Sequence, residues 1–96
     1  MSDPTVLADD DVRARLPEGW DLVDGKLHRT LEFPSFVDAF GFMTMVALVA
    51  EKRNHHPDWS NSWNTVRIDL VSHSAGGVTD ADLTFAAEIN TTLGEG

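Results

Sequence analysis

Three of the four histidines in this chain of 96 residues follow a pattern that can carry out proton-transfer chemistry. His55 and His56 are adjacent and precede Pro57, while His73 lies further along the chain. Imidazole exchanges protons near neutral pH, because its ordinary pKa is about 6.5, so clustered histidines indicate general acid and base catalysis. The three side chains can meet in one pocket if the tandem pair ends a helix and His73 ends a strand.

The tandem histidines and His73 are expected to lie in different surroundings. The partial negative charge of a helix C-terminus favours a cationic imidazole, and Glu51 lies one turn before His55. His73 is expected on the strand face opposite the core residues, in an open pocket. Acid and base roles need a difference in proton affinity, which two such surroundings would provide.

Other chemistries fit the residues less well. Three histidines can bind zinc, but adjacent residues chelate one ion poorly compared with residues two apart on a strand or four apart on a helix, and the chain has no cysteine. We therefore expect no metal. The sequence around Ser60, Ser62, Ser72 and Ser74 does not resemble the sharp turn that presents a serine nucleophile. His28 is interpreted as a solvated strand residue.

The elements that must position these side chains can be read from periodicity, caps and turns. The patterns predict a single α+β domain over residues 1–96, with an antiparallel four-stranded sheet, helices on one face, and flexible ends at residues 1–8 and 92–96. In chain order they predict a helix from Asp9 to Leu16 and hairpin strands from Trp20 to Val23 and from Leu27 to Phe33 around Asp24-Gly25. A long helix capped by Ser35 ends near Asn54, and Trp59 to Trp63 begins either another strand or a bulged approach to the next one, which periodicity alone does not settle. A strand runs from Thr65 to His73, with Val66, Ile68 and Leu70 facing the core, and Thr79 opens a last helix.

The long helix carries two apolar stripes. A helix that is apolar over so much of its circumference is usually buried on more than one side. One side should therefore meet the sheet of its own subunit and the other a neighbouring subunit. The first stripe contains Phe36, Phe40, Met43, Ala47 and Ala50, and the second contains Phe42, Met45, Val46 and Val49.

Composition restricts the class of protein. Sixteen acidic against seven basic residues give a formal charge of -9, which repels nucleic acid and anionic membranes. The N-terminal residues lack the pattern of a signal peptide, so we expect a cytoplasmic protein. A domain this small buries only about two-thirds of its unfolded surface, which favours oligomers.

Three tryptophans form a heavy aromatic load for a chain without tyrosine. Trp63 is interpreted as a core or subunit-interface residue, since aromatic side chains dominate both settings. Trp20 is the better candidate for the wall of a pocket that holds a flat heterocycle.

The chemistry-bearing residues together resemble the signature of a known family, the pterin-4a-carbinolamine dehydratases. The resemblance covers nearly the whole chain, and the tandem histidine with a third histidine at the right spacing is its most specific part. The matching positions are Glu51, His55-His56-Pro57, Trp63, His73 and Asp82, with Gly19-Trp20 and Phe40-Gly41-Phe42-Met43-Thr44 in support.

The resemblance implies a dehydratase that removes water from 4a-hydroxytetrahydropterin, left by a pterin-dependent hydroxylase, and forms quinonoid dihydropterin. It implies no cofactor, because the pterin is the substrate, and a homodimer or homotetramer built through helix 35–54 and the sheet edges. It implies that His55 and His73 transfer protons, with acid and base unassigned, and that His56 orients the pterin. The substrate-binding residues it implies are Trp20, Glu51, Asn54, Pro57, Ser72, Ser74 and Asp82.

The same resemblance leaves a second function open. Some relatives are dimerisation cofactors or assembly factors, so a non-enzymatic role in binding a protein partner is the alternative. Three positions depart from the family pattern: Trp63 where tyrosine is common, Met45 in place of an arginine on the long helix, and Ala81 where animal members carry arginine.

Overall fold

The computed structural model describes residues 5–94. It shows three helices and an open four-stranded antiparallel sheet, which confirms the predicted α+β fold. The elements are α1 (Asp9–Ala14), β1 (Asp21–Val23), β2 (Lys26–Glu32), α2 (Phe36–Arg53), β3 (Asp58–Ser62), β4 (Thr65–Leu70) and α3 (Asp80–Thr92). Among these residues, no helix is both long and apolar enough to cross a membrane. Of the ends predicted to be flexible, residues 1–4 and 95–96 lie outside the described part.

The sheet has the order β1-β2-β4-β3, with antiparallel pairing throughout. The predicted turn joins β1 to β2, since Asp24 and Gly25 have φ angles of 51° and 77°, which a tight hairpin turn requires. Val66, Ile68 and Leu70 are all fully buried on β4, as their alternation predicts. β4 lies between β2 and β3, so the centre of the sheet carries the most apolar strand.

Local capping chemistry sets both ends of α2. Ser35 precedes the helix, and its side chain accepts a hydrogen bond from the Asp38 N–H. At the other end Asn54 adopts the left-handed conformation, and the N–H of His55 returns to the carbonyl oxygen of Ala50 at 3.1 Å. This arrangement ends helices in many proteins and fixes the backbone of the residue that follows. The tandem histidines therefore leave the helix in one defined direction.

The burial of α2 only partly follows the two predicted stripes. The buried residues are Ala39, Phe42, Val46 and Ala50, so the core contact runs between the two stripes and takes members from both. Phe40 and Met45, one from each stripe, are about half exposed at 54% and 49%. The most exposed large apolar side chains of α2 are Val37 and Leu48, which belong to neither stripe.

α3 begins in a reciprocal cap. The Thr79 side chain accepts the N–H of Ala81, and the Asp82 carboxylate accepts the N–H of Thr79. Thr79 and Asp82 are both buried, at 1% and 0% exposure. The prediction that Thr79 opens the last helix is confirmed.

The prediction for the end of β4 was wrong in one respect. The strand stops at Leu70, and His73 lies in a turn that is closed by an isolated bridge between Ser72 and Gly77. Gly76 has a φ of 83°, a conformation that glycine adopts readily, so the Ala75-Gly76-Gly77 sequence bends the chain earlier than the alternation alone indicates.

Candidate active site

A pocket of about 370 Å³ lies where the end of α2, the turn after β4 and the start of α3 meet. All three histidines of the predicted cluster line it. They come from positions up to 18 residues apart in the sequence, and only the tertiary fold brings them together. The lining residues are Arg53, Asn54, His55, His56, Val71, Ser72, His73, Ser74 and Ala81.

His55 is held by a fully buried carboxylate. Its Nε2 atom lies 2.6 Å from Oδ1 of Asp82, whose side chain is 0% exposed. The other carboxylate oxygen, Oδ2, accepts the hydroxyl of Ser72 at 2.8 Å and the backbone N–H of Thr79 at 2.9 Å. An edge-on contact with the Phe85 ring, 5.8 Å between centroids, supports the imidazole from a further side. His55 therefore has a fixed orientation in the pocket.

The Asp82 carboxylate serves the cap of α3 and the histidine at the same time. Ser72 and Thr79 place their hydroxyl oxygens 2.8 Å apart, so Thr79 donates to Ser72 and Ser72 donates to Asp82. Among residues 5–94, no buried side-chain nitrogen or oxygen atom is left without a hydrogen-bonding partner. A fully connected polar group of this kind is rigid, because moving one member breaks several bonds.

His56 and His73 are also paired with carboxylates, but in more open surroundings. Nε2 of His56 lies 2.6 Å from Oε1 of Glu51, with side-chain exposures of 55% and 78%. Nε2 of His73 lies 3.0 Å from Oδ2 of Asp58, with exposures of 66% and 47%. Each imidazole of the pocket thus has its own acidic partner.

This arrangement does not form a shared metal site. Within the described range, 5–94, no three histidine, cysteine, aspartate or glutamate side chains are placed to hold one ion. The three imidazoles contact three different carboxylates instead. The donor set is suited to proton transfer by individual histidines.

Most residues predicted to bind substrate lie at the pocket, though in different roles. Asn54, Ser72 and Ser74 line it directly. Glu51 and Asp82 contact histidines and are not lining residues. Pro57 does not line the pocket either; it joins the tandem histidines to β3. The catalytic and binding roles of these residues remain predictions.

Trp20 is the clear exception. It is 3% exposed in the hydrophobic core, and its indole N–H donates to the side chain of Asn90 at 2.9 Å. Asn90 lies eight residues after Asp82 on the same helix, which corresponds to about 12 Å along the axis. Trp20 packs near the far end of α3 and does not line the pocket, so its predicted place in the pocket wall is corrected.

For Trp63, one of its two interpretations is excluded and the other, the subunit interface, stays a prediction; His28 differs from its interpretation. Trp63 is 70% exposed in the turn between β3 and β4, with a φ of 50°, so it does not belong to the core of this chain. His28 is half-buried and paired: Nδ1 lies 2.8 Å from Asp69 and Nε2 lies 3.0 Å from Thr30. His28 is on the sheet surface and does not line the pocket of the other three histidines.

The sequence interpretation assigned no role in the site to Asp58 or Arg53. Asp58 directly follows the tandem histidines and Pro57, and its position at the start of β3 places it beside the turn that carries His73. Arg53 ends α2, forms an ion pair with Glu88 and lies 5.9 Å from the Phe85 ring centroid. The only sequence signal for Asp58 was its acidic side chain directly after His55-His56-Pro57. Its contact with His73 depends on the pairing of β3 with β4, which the sequence pattern does not show.

Comparison with known proteins gives a consistent result. Residues 5–92 match the family model described as pterin 4 alpha carbinolamine dehydratase. A Solibacter usitatus protein with a provisional assignment as a pterin-4-alpha-carbinolamine dehydratase is 47% identical over 88 residues, covering 90% of this chain and 93% of its own length. A similarly assigned protein from Prochlorococcus marinus (strain MIT 9303) is 53% identical over 79 residues, covering 82% of this chain and 81% of its own.

Two solved structures share the fold. The crystal structure of a transcriptional coactivator/pterin dehydratase from Brucella melitensis superposes with a TM-score of 0.85 at 39% identity, covering 92% of this chain and 98% of that one. A pterin dehydratase-like protein identified as a RuBisCO assembly factor in the alpha-carboxysome has a TM-score of 0.66 at 22% identity, covering 80% and 89% of the two chains, which supports a common fold alone. The family match over nearly the whole chain, the close relatives and the histidine pocket agree, and this chain belongs to the pterin 4 alpha carbinolamine dehydratase family.

Proposed function

We propose that this protein is a dehydratase that eliminates water from a 4a-hydroxytetrahydropterin and releases the quinonoid dihydropterin, in cytoplasmic recycling of the pterin. The observation that carries the proposal is the convergence of three carboxylate-paired histidines on one pocket. Family membership supports the substrate class. The pocket volume, about 370 Å³, falls at the lower end of the range for small-molecule sites, which suits a bicyclic ring.

The elimination needs two proton transfers and no change of oxidation state that a cofactor would have to supply. An acid protonates the 4a-hydroxyl group, which leaves as water, and a base removes the proton from N5. The electron pair of the N5–H bond then forms the C4a–N5 double bond. Positioned histidines typically accelerate such transfers by about 10²-fold to 10⁴-fold.

His55 and His73 are the proposed proton-transfer pair, and His56 binds and orients the ring. The His55 imidazole is held by the buried carboxylate of Asp82, while His73 lies in the turn that follows β4 and contacts Asp58. Either residue can be the acid, and the assignment is left to experiment. Asn54, Ser72 and Ser74 line the pocket and are proposed to contact the pterin.

The decisive experiment follows the decay of the 4a-hydroxy adduct by absorbance, with and without protein. The adduct also loses water spontaneously, so the measured quantity is acceleration above that background. We expect clear acceleration by the wild-type protein and loss of at least 90% of it in His73→Ala, because an essential proton donor or acceptor is removed. Absence of acceleration with folded wild-type protein would contradict the proposal.

The chain supplies a matched control for this substitution. His28 is likewise paired with an aspartate, Asp69, but lies outside the pocket on the sheet. His28→Ala should therefore retain the wild-type rate. Equal loss in both variants would show that the effect comes from general damage to the fold and would argue against a catalytic role for His73.

A second candidate function is supported by the outer surface of α2. Val37 and Leu48 are 77% and 69% exposed, and Phe40 and Met45 are about half exposed. We propose that this surface, together with the sheet edges, joins copies of the chain into a homodimer or homotetramer. The alternative to the enzyme is that the same surface serves only to bind a different protein.

Light scattering coupled to size exclusion distinguishes these possibilities. Leu48→Glu should lower the oligomer mass, whereas Thr84→Glu, an acidic substitution at an exposed site on α3, should not. A wild-type protein that is monomeric at all concentrations would contradict the oligomer. Partner binding that depends on Leu48 but not on His55, combined with no acceleration of adduct decay, would favour the non-enzymatic role.

A further inference from the structure

His73 has the least structural support of the three histidines in the pocket. Its side chain is 66% exposed, compared with 18% for His55. It lies in a turn, whereas His55 directly follows a capped helix and packs against Phe85. A side chain this exposed samples several rotamers unless a specific contact selects one.

The backbone around His73 is nevertheless well fixed. The carbonyl oxygen of Ser72 accepts hydrogen bonds from the N–H groups of Ala75 and Gly76 at 3.0 and 2.9 Å. The N–H of Ser72 donates to the carbonyl of Gly77 at 3.0 Å, which closes the turn. Only the side-chain torsions of His73 therefore remain to be set.

The His73 side chain has a short ion-pair contact with Asp58. Within residues 5–94, Asp58 is the side chain paired with the His73 imidazole, at 3.0 Å between Nε2 and Oδ2. Asp58 is the first residue of β3 and pairs with Asp69 of β4, so the sheet holds its backbone. Lys26 of β2 lies 3.9 Å from the same Oδ2 atom and adds a positive charge on that side.

We propose that Asp58 is a positioning residue of the active site: its carboxylate, beside Nε2 of His73, favours the tautomer that carries its proton on Nε2 and leaves Nδ1 as the nitrogen that exchanges a proton with the substrate. A carboxylate beside one ring nitrogen favours a proton on that nitrogen, which leaves the other nitrogen as the reactive one. His55 and His56 also face their carboxylates through Nε2, each in a hydrogen bond of 2.6 Å, whereas His73 makes an ion-pair contact of 3.0 Å through the same ring atom. This inference rests on the proposed dehydratase function.

The effect of Asp58 should appear in turnover and not in stability. An ion pair between two side chains that are 66% and 47% exposed adds little to folding, because water screens it. Carboxylates that orient histidines in other sites typically contribute about 10-fold to 100-fold to function. Asp58→Asn should therefore lower kcat by about 10-fold or more, with KM unchanged within about twofold and an unaltered melting temperature.

Two further variants make this kinetic test specific. Asp58→Glu restores the carboxylate and should recover most of the lost kcat. Asp69→Asn removes a charge from the neighbouring position on the same sheet surface but pairs with His28, so it should leave kcat unchanged. Wild-type kcat in Asp58→Asn, an equal loss in Asp69→Asn, or no recovery in Asp58→Glu would each overturn the inference.

A spectroscopic measurement on the free protein separates this inference from the proposed function. The ¹⁵N chemical shifts of the His73 ring, assigned with His73→Gln, report which nitrogen carries the proton. We expect protonation at Nε2 alone in the wild type and a mixture of tautomers in Asp58→Asn. An unchanged tautomer in Asp58→Asn would overturn the positioning role even if the wild type is active. If Asp58→Asn changes the tautomer of His73 but the wild-type protein does not accelerate adduct decay, the dehydratase function on which the role depends is overturned instead.

Discussion

Two histidine–aspartate pairs in this molecule have similar short contacts but different surroundings. His28 and Asp69 lie on neighbouring strands with 2.8 Å between Nδ1 and Oδ1, and their side chains are 30% and 37% exposed. His55 and Asp82 are 2.6 Å apart, and the Asp82 side chain is 0% exposed. A short contact alone therefore does not identify an active site. The two pairs differ in the burial of the carboxylate that contacts the histidine.

The carboxylate of Asp82 belongs to a hydrogen-bond network, whereas the Asp69 side chain, among residues 5–94, has His28 as its partner. Asp82 accepts from the Ser72 hydroxyl and the Thr79 N–H in addition to its contact with His55. Burial makes each of these bonds stronger, and it also makes the loss of any partner costly. The comparison teaches that the pocket and the start of α3 form one structural unit.

The largest effect is expected for Asp82→Asn, measured against the matching single variant Asp69→Asn. Asp82→Asn places an amide donor among groups that already donate, so at least one buried partner loses its acceptor. We expect it to lower the free energy of unfolding by about 2–4 kcal/mol, and Asp69→Asn by less than about 0.5 kcal/mol. Urea denaturation followed by circular dichroism measures both values. Equal losses in the two variants would mean that burial does not distinguish the pairs.

A smaller effect is expected for one member of the Asp82 network. Ser72→Ala removes the hydroxyl that donates to Asp82 and accepts from Thr79. We expect a loss of about 1–2 kcal/mol in the free energy of unfolding, because two buried groups lose a partner. Ser60→Ala, at an exposed position on β3, is the matched control and should change stability by less than about 0.5 kcal/mol.

The smallest effect is expected for the most exposed pair in the pocket. Glu51→Gln removes the charge that faces His56, where the side chains are 78% and 55% exposed. We expect a change in stability below about 0.5 kcal/mol that disappears in 1 M salt, since surface pairs are screened. Glu32→Gln, at another exposed glutamate, controls for the change in net charge. A salt-independent loss above about 1 kcal/mol would show that this pair resembles the buried one.

Features encoded by neighbouring residues were predictable. Asp24-Gly25 specifies the hairpin turn, Ser35 and Asn54 mark the ends of α2, and Thr79 begins α3. Each of these depends on interactions over about four residues, so the sequence pattern contains the necessary information. The family signature around the histidines was also recognisable, because it is a pattern of residue types and spacings, and the match of residues 5–92 to the family model confirms it.

Features that depend on distant contacts were predicted less well. Trp20 was expected at the pocket, but its indole N–H finds a partner in Asn90, 70 residues away, and lies in the core. His73 was expected at a strand end, but the bridge between Ser72 and Gly77 turns the chain first. The exposed surface of α2 was misjudged because a helix with apolar residues on most sides does not reveal which side meets the sheet.

The sequence by itself determined the identity of the acidic and basic groups, the order of the elements and the position of the tandem histidines after a capped helix. Only the tertiary structure decided which carboxylates face His55 and His73. His55 and Asp82 are 27 positions apart in the sequence. Asp58 begins β3, whereas His73 lies in the turn after β4. Local propensities act over a few residues, whereas sheet register and helix packing, driven by burial of the core, set the distances on which proton transfer depends.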